Sequence, residues 1–148
     1  MEPTPHSADP TIDLRRRLDR LDQLERRTVL AALWTFTLLT FFLRDLHEIV
    51  KADFLADALN GVYAGRQVTE AMFLFGGLMV QIPIMMVPLS MTLPPRVNQW
   101  ANLIVAPIFG LTFIGAAGDL DDYLHFGMIL AALAIIVWRA WHWRRSPS

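Results

Sequence analysis

Seven side chains able to move protons or hold a cation fall into two short stretches. Asp45, His47 and Glu48 form one, and Asp119, Asp121, Asp122 and His125 form the other. Carboxylates mixed with imidazole suit a divalent cation, and the four-residue spacing of Asp121 and His125 puts both on one face of a helix. A second set is neutral: Gln81, Asn98 and Asn102 lie within or beside long apolar runs. An amide in apolar surroundings needs a hydrogen-bond partner, so these three are candidates to bind a ligand or line a polar path. Met72, Met79 and Met86 recur at seven-residue spacing, and thioethers can pass Cu(I).

Each set also has a plainer use. Helix ends must be polar, and Arg44, Lys51 and Arg66 are at hand as counter-charges. Asn98 and Asn102 continue through Ala106 and Gly110 as a stripe that lets helices approach closely, and Gly127-x-x-x-Ala131 is a contact of the same kind. Methionine fills irregular core space beside prolines such as Pro83 and Pro88. The plainer readings are preferred. No metal and no cofactor is assigned, and Asp45, His47, Glu48, Asp121, Asp122 and His125 stand as a polar cluster. The chain carries no Ser/His/Asp arrangement, no His-Glu-x-x-His, no phosphate loop and no cysteine. It is therefore expected not to be an enzyme, and disulfide, thiolate-zinc and iron–sulfur chemistry are excluded.

The elements that must position these groups follow from hydropathy. Of 148 residues, 54% are hydrophobic and 18% charged, against about 25% charged in an ordinary soluble domain. The apolar residues collect into four blocks, predicting membrane spans at about 28–47, 71–93, 97–118 and 123–143. Residues 1–27 read as a tail with an amphipathic helix opening at Asp9-Pro10, and 144–148 as a second tail. Leu14, Leu18, Leu21 and Leu24 make one stripe on that helix, suited to lipid or to a second copy of the chain. Ala52–Leu59 reads as a short helix closed by a turn at Asn60-Gly61.

Six arginines precede the first span, and Arg96, Arg139, Arg144 and Arg145 join them on one side of the membrane. Only Arg44, Lys51 and Arg66 fall on the other side, so both termini are expected in the cytoplasm. The net charge of −1 gives no reason to expect nucleic acid.

Several stretches carry a resemblance. They are Leu33-Trp34-Thr35-Phe36, Arg44-Asp45-Leu46, Gln81-Ile82-Pro83-Ile84-Met85-Met86 with Leu89-Ser90, Asn98-Gln99-Trp100-Ala101-Asn102, and Ile136 through Trp143. Over residues 28–143 the chain resembles a family of small four-helix bacterial integral membrane proteins of unknown function. The resemblance implies a bacterial inner-membrane location and the four-span architecture, and offers no activity. Relatives of that kind carry a carboxylate where this chain has Gln81 and another in the fourth span, which here is aliphatic beyond His125.

The fold expected is all-α, an integral membrane four-helix bundle of up-down topology with an N-terminal amphipathic cytoplasmic helix. The function expected is that of a non-enzymatic membrane component acting by self-association or by binding a membrane protein partner within the lipid bilayer. One alternative is an oligomeric small-solute transporter or channel lined by Gln81, Asn98 and Asn102. Another is a membrane oxidoreductase or cofactor-binding subunit built on His47 and His125.

Overall fold

The computed structural model describes residues 10–63 and 65–143. Within them the chain is all-helical apart from one small hairpin. The order is α1 (Pro10–Ile49), α2 (Ala52–Leu59), β1 (Val62–Tyr63), β2 (Arg66–Gln67), α3 (Glu70–Thr92), α4 (Pro95–Leu111) and α5 (Leu120–Trp141). Three helices, α1, α3 and α5, are long and apolar enough to cross a membrane. The fourth, α4, has 17 residues.

The amphipathic tail helix and the first apolar block are one continuous helix of 40 residues. No Gly or Pro interrupts it after Pro10, and Thr28 and Thr35 turn their hydroxyls back onto the carbonyls of Leu24 and Ala31. At 1.5 Å per residue α1 is about 60 Å long, roughly twice the hydrocarbon thickness of a bilayer. The Asp9 cap expected for this helix lies outside the described residues, as does the tail at 144–148.

The short helix occupies Ala52–Leu59 as its pattern predicts. The hairpin after it was not anticipated. Val62 pairs with Gln67 and Tyr63 with Arg66, and Gly61 and Gly65 take the left-handed backbone that the turns need, at φ 67° and 73°. Phe54 of α2 meets Tyr63 edge to face at 6.2 Å, which ties the hairpin to the helix. Thr69 caps α3, accepting from the Met72 amide.

The third block ends earlier than hydropathy suggests. Helix α4 stops at Leu111 rather than near 118, because the apolar run continues through turns that end in Gly115 at φ 77°. Asp119 then caps α5 by accepting from the Asp122 amide, so that helix begins three residues before the predicted boundary.

Helix α1 packs against α3 and α5, and α4 packs against the same two. The core lies between them: Leu30 and Trp34 of α1, Met86 of α3, Ala106 and Phe109 of α4, and Phe126, Ile129, Leu133 and Ile136 of α5. Asn98, Asn102, Ala106 and Gly110 are all buried, so that stripe is the packing face of α4. Gly127 and Ala131 are exposed, and among the described residues nothing packs on Gly127. Of the seven-spaced methionines only Met86 reaches the core, because α3 is exposed on every face over residues 70–78 and packs into the bundle only in its second half. Trp100, Trp138 and Trp141 are exposed, whereas Trp143 folds back into the core.

Candidate functional site

The two acidic stretches do converge. Helix α1 ends where α5 begins, and Arg44 reaches across between them. Its Nε donates to Asp122 Oδ1 at 2.7 Å, its two terminal nitrogens lie 3.3 Å from Asp45 and 3.4 Å from Glu48, and its guanidinium stacks 5.2 Å from the Phe126 ring centre. The second Asp122 oxygen accepts from the Gly118 amide at 2.8 Å. Asp122 is 5% exposed at its side chain and Arg44 17%. A carboxylate so far from water is tolerated only with this density of donors.

Lys51 forms a second clasp just beyond the end of α1, donating to both Glu48 and Asp119. Its ammonium, bonded to Asp119 and then Glu48, is held above the ordinary lysine range. Asp119 lies below the usual carboxylate range, first because Lys51 donates to it and then because the Asp122 amide does. The folded Asp119 value is the lower one, so its contribution is full above about pH 4 and disappears as pH falls through the lowered value. The raised Lys51 value acts in the other direction, and its share is lost only as pH rises above about 10. Asp119→Asn keeps the helix cap and removes the charge. Its melting temperature is expected to lie below that of the parent at pH 7 and to converge with it near pH 2, a comparison made by thermal unfolding in detergent. Both groups are exposed, so the difference is small.

The remaining members form a third group. His47 Nδ1 lies 3.2 and 3.3 Å from the two Asp121 oxygens. His125 Nδ1 lies 2.9 Å from the Asp121 carbonyl oxygen and 3.3 Å from its carboxylate. The two imidazole rings meet edge to face at 5.2 Å, which leaves no gap for a macrocycle between them. The polar cluster read from sequence is thus gathered in full: Asp45, Glu48 and Asp122 belong to Arg44, and His47, Asp121 and His125 to one another. Asp119, the link to Lys51, was noted in the sequence as part of the same acidic turn.

The three amides do not share a surface. Asn98 and Asn102 are fully buried and satisfy each other. Trp34 Nε1 donates to Asn102 Oδ1 at 2.7 Å, the Asn102 amide donates to the side chain and carbonyl of Asn98 at 2.7 and 2.9 Å, and the Asn98 amide donates to the Ser90 carbonyl at 2.6 Å. This network joins α1, α3 and α4. Gln81 is exposed on the far side of α3 from the packed Pro83, Met86 and Ser90. Sequence reasoning missed Trp34 as the partner of Asn102, since the two are 68 positions apart. It also missed Arg27, whose guanidinium donates to the carbonyls of Met91 and Leu93 and so closes the C-terminal end of α3.

A family model described as a family of unknown function (DUF6326) matches residues 21–147. No curated protein and no solved structure matches the chain.

Proposed function

Because this chain belongs to the DUF6326 family of unknown function, we propose its role from its own geometry: a non-enzymatic, self-associating membrane component. In this reading α1, α3, α4 and α5 are four spans of an up-down bundle in a bacterial inner membrane. The excess of arginine around the start of α1, the α3–α4 turn and the end of α5 keeps both termini cytoplasmic.

The observation that carries the proposal is the unpacked face of α1. Leu14, Leu18, Leu21, Leu39, Phe42 and Leu46 are 44–63% exposed. With Glu25, Thr28, Ala32 and Thr35 between them, all exposed, they keep a strict four-three alternation from Leu14 to Ile49. That is the 3.5-residue period of a coiled-coil seam. The face lies opposite Leu30, Trp34 and Thr37, which pack into the bundle. A parallel second copy sets leucine against leucine along it, with Glu25 the one charged residue on the seam. Arg17 and Asp22 flank the seam at positions where the arginine of one chain meets the aspartate of the other. Within the span, Thr28 and Ala32 allow close approach of two backbones. Residues 11–21 project beyond the bundle, exposed on all sides, where a leucine stripe gains from burial against water.

Native mass spectrometry of the full chain in mild detergent tests this. The parent is expected as a dimer. Leu14→Glu with Leu21→Glu is expected to weaken it at least about 100-fold, since four leucines leave the dimer interface, while the melting of the bundle stays unchanged. A monomeric parent, or a dimer indifferent to both substitutions, would sink the proposal.

A further inference from the structure

The acidic end of α1 and α5 divides by what neutralises each carboxylate. Asp45, Glu48, Asp119 and Asp122 are bonded to Arg44 or Lys51. Asp121 has neither. Among the described residues its carboxylate pairs only with the imidazoles of His47 and His125. Five carboxylates against two permanent cations leave this end negative by three charges.

We propose that His47, Asp121 and His125 form a binding site for a first-row divalent transition metal, of the zinc, manganese or ferrous class. One ligand atom from each residue lies within 4.8 Å of the other two. Ligands that share an ion at about 2.0–2.2 Å sit roughly 3–3.5 Å from each other, which matches the 3.2 Å from His47 Nδ1 to Asp121. Two imidazoles with one carboxylate favour such a metal over calcium or magnesium, which take mostly oxygen. The ligands come from two helices, and the pieces are pre-positioned. The Asp121 carbonyl holds the His125 ring at 2.9 Å, as outer hydrogen-bond partners orient metal-ligating imidazoles. Arg44 and Lys51 brace α1 against α5 one turn away. The negative C-terminal end of α1 lies beside the positive N-terminal end of α5, so the two helix dipoles oppose one another at the cation.

Side-chain exposure falls from 48% at His47 through 31% at Asp121 to 6% at His125. The site is open on the His47 side, giving an entry path and leaving at least one coordination position to water or to a ligand. The second acidic group, Glu48, Asp119 and Asp122, is closed to a metal because Arg44 and Lys51 already occupy its oxygens.

The test uses the full chain in detergent, freed of metal, titrated with Zn²⁺ and separately with Co²⁺, whose visible spectrum reports its ligands. One equivalent per chain is expected, with a cobalt band showing nitrogen coordination. His47→Gln, at the exposed ligand, and Asp121→Asn are each expected to lose at least about 100-fold in affinity, the upper range for loss of outer partners alone, while melting as the parent does without metal. Bound metal is also expected to raise the parent's melting temperature, and not that of His47→Gln. Absence of stoichiometric binding, or binding that both variants retain, would overturn the assignment.

Discussion

Replacing Asp122 with alanine is expected to destabilise the bundle by about 3–5 kcal/mol, the cost of leaving one member of a buried ion pair without its partner. The reason lies in how Arg44 is used. Its guanidinium is mostly buried, lies against Phe126, and donates its closest hydrogen bond, 2.7 Å, to Asp122. Without that carboxylate the charge stays in place with Asp45 and Glu48 at 3.3 and 3.4 Å as weaker substitutes, and the Gly118 amide loses its acceptor. Arg44→Lys is expected to lie between the parent and Asp122→Ala, because an ammonium cannot reach three carboxylates with a planar fork. The double change Arg44→Met with Asp122→Leu is expected to recover most of the loss, since removing both charges removes the desolvation penalty with them. Chemical or thermal unfolding in detergent measures all three. A loss below about 1 kcal/mol for Asp122→Ala, the range of an exposed pair, would show that water reaches Arg44 and that the pair does not hold α1 to α5.

Trp34→Ala is expected to cost about 3–5 kcal/mol, the range for deleting a large aromatic from a packed core. Trp34 is 0% exposed. Its ring faces Phe109 at 6.5 Å, and its Nε1 holds the Asn102 oxygen at 2.7 Å. Trp34→Phe separates the two contributions. It keeps much of the ring volume and orphans the Asn102 oxygen, for which about 1–3 kcal/mol is expected. Asn102→Leu should cost a similar amount by leaving the indole N–H and the Asn98 side-chain oxygen without partners. If Trp34→Phe proves as harmful as Trp34→Ala, the hydrogen bond dominates and volume matters little. If it proves harmless, the network is not stabilising and the packing of α1 on α4 carries the site.

Much of the local architecture was legible in the residues. Helices over the apolar blocks, the short Ala52–Leu59 helix and the turn at Asn60-Gly61 follow from hydropathy and turn chemistry, which act between near neighbours. The convergence of Asp45, His47 and Glu48 with Asp121, Asp122 and His125 was legible too, since both stretches flank helices that a short bundle sets side by side. The length of the third helix was not. Hydropathy continues past Leu111 although the backbone turns there, because apolar side chains can line a turn as well as a helix. The extent of α1 was misjudged in the opposite sense: a change from charged to apolar residues looks like a boundary, but every residue from Thr11 to Ile49 is compatible with one helix, and none breaks it.

The sequence by itself determined that this chain is helical and membrane-suited, and that its polar residues gather at helix ends and on a few amides. Those properties depend on composition and on spacings of a few residues. Only the tertiary structure decided which polar groups meet. The direction of each side chain around its helix, and the offset of one helix along another, set Asn102 against Trp34 and turned Gln81 outward. The same two variables gave Asp122 to Arg44 and left Asp121 to two histidines. No spacing within one helix encodes them, because they result from packing the whole core at once.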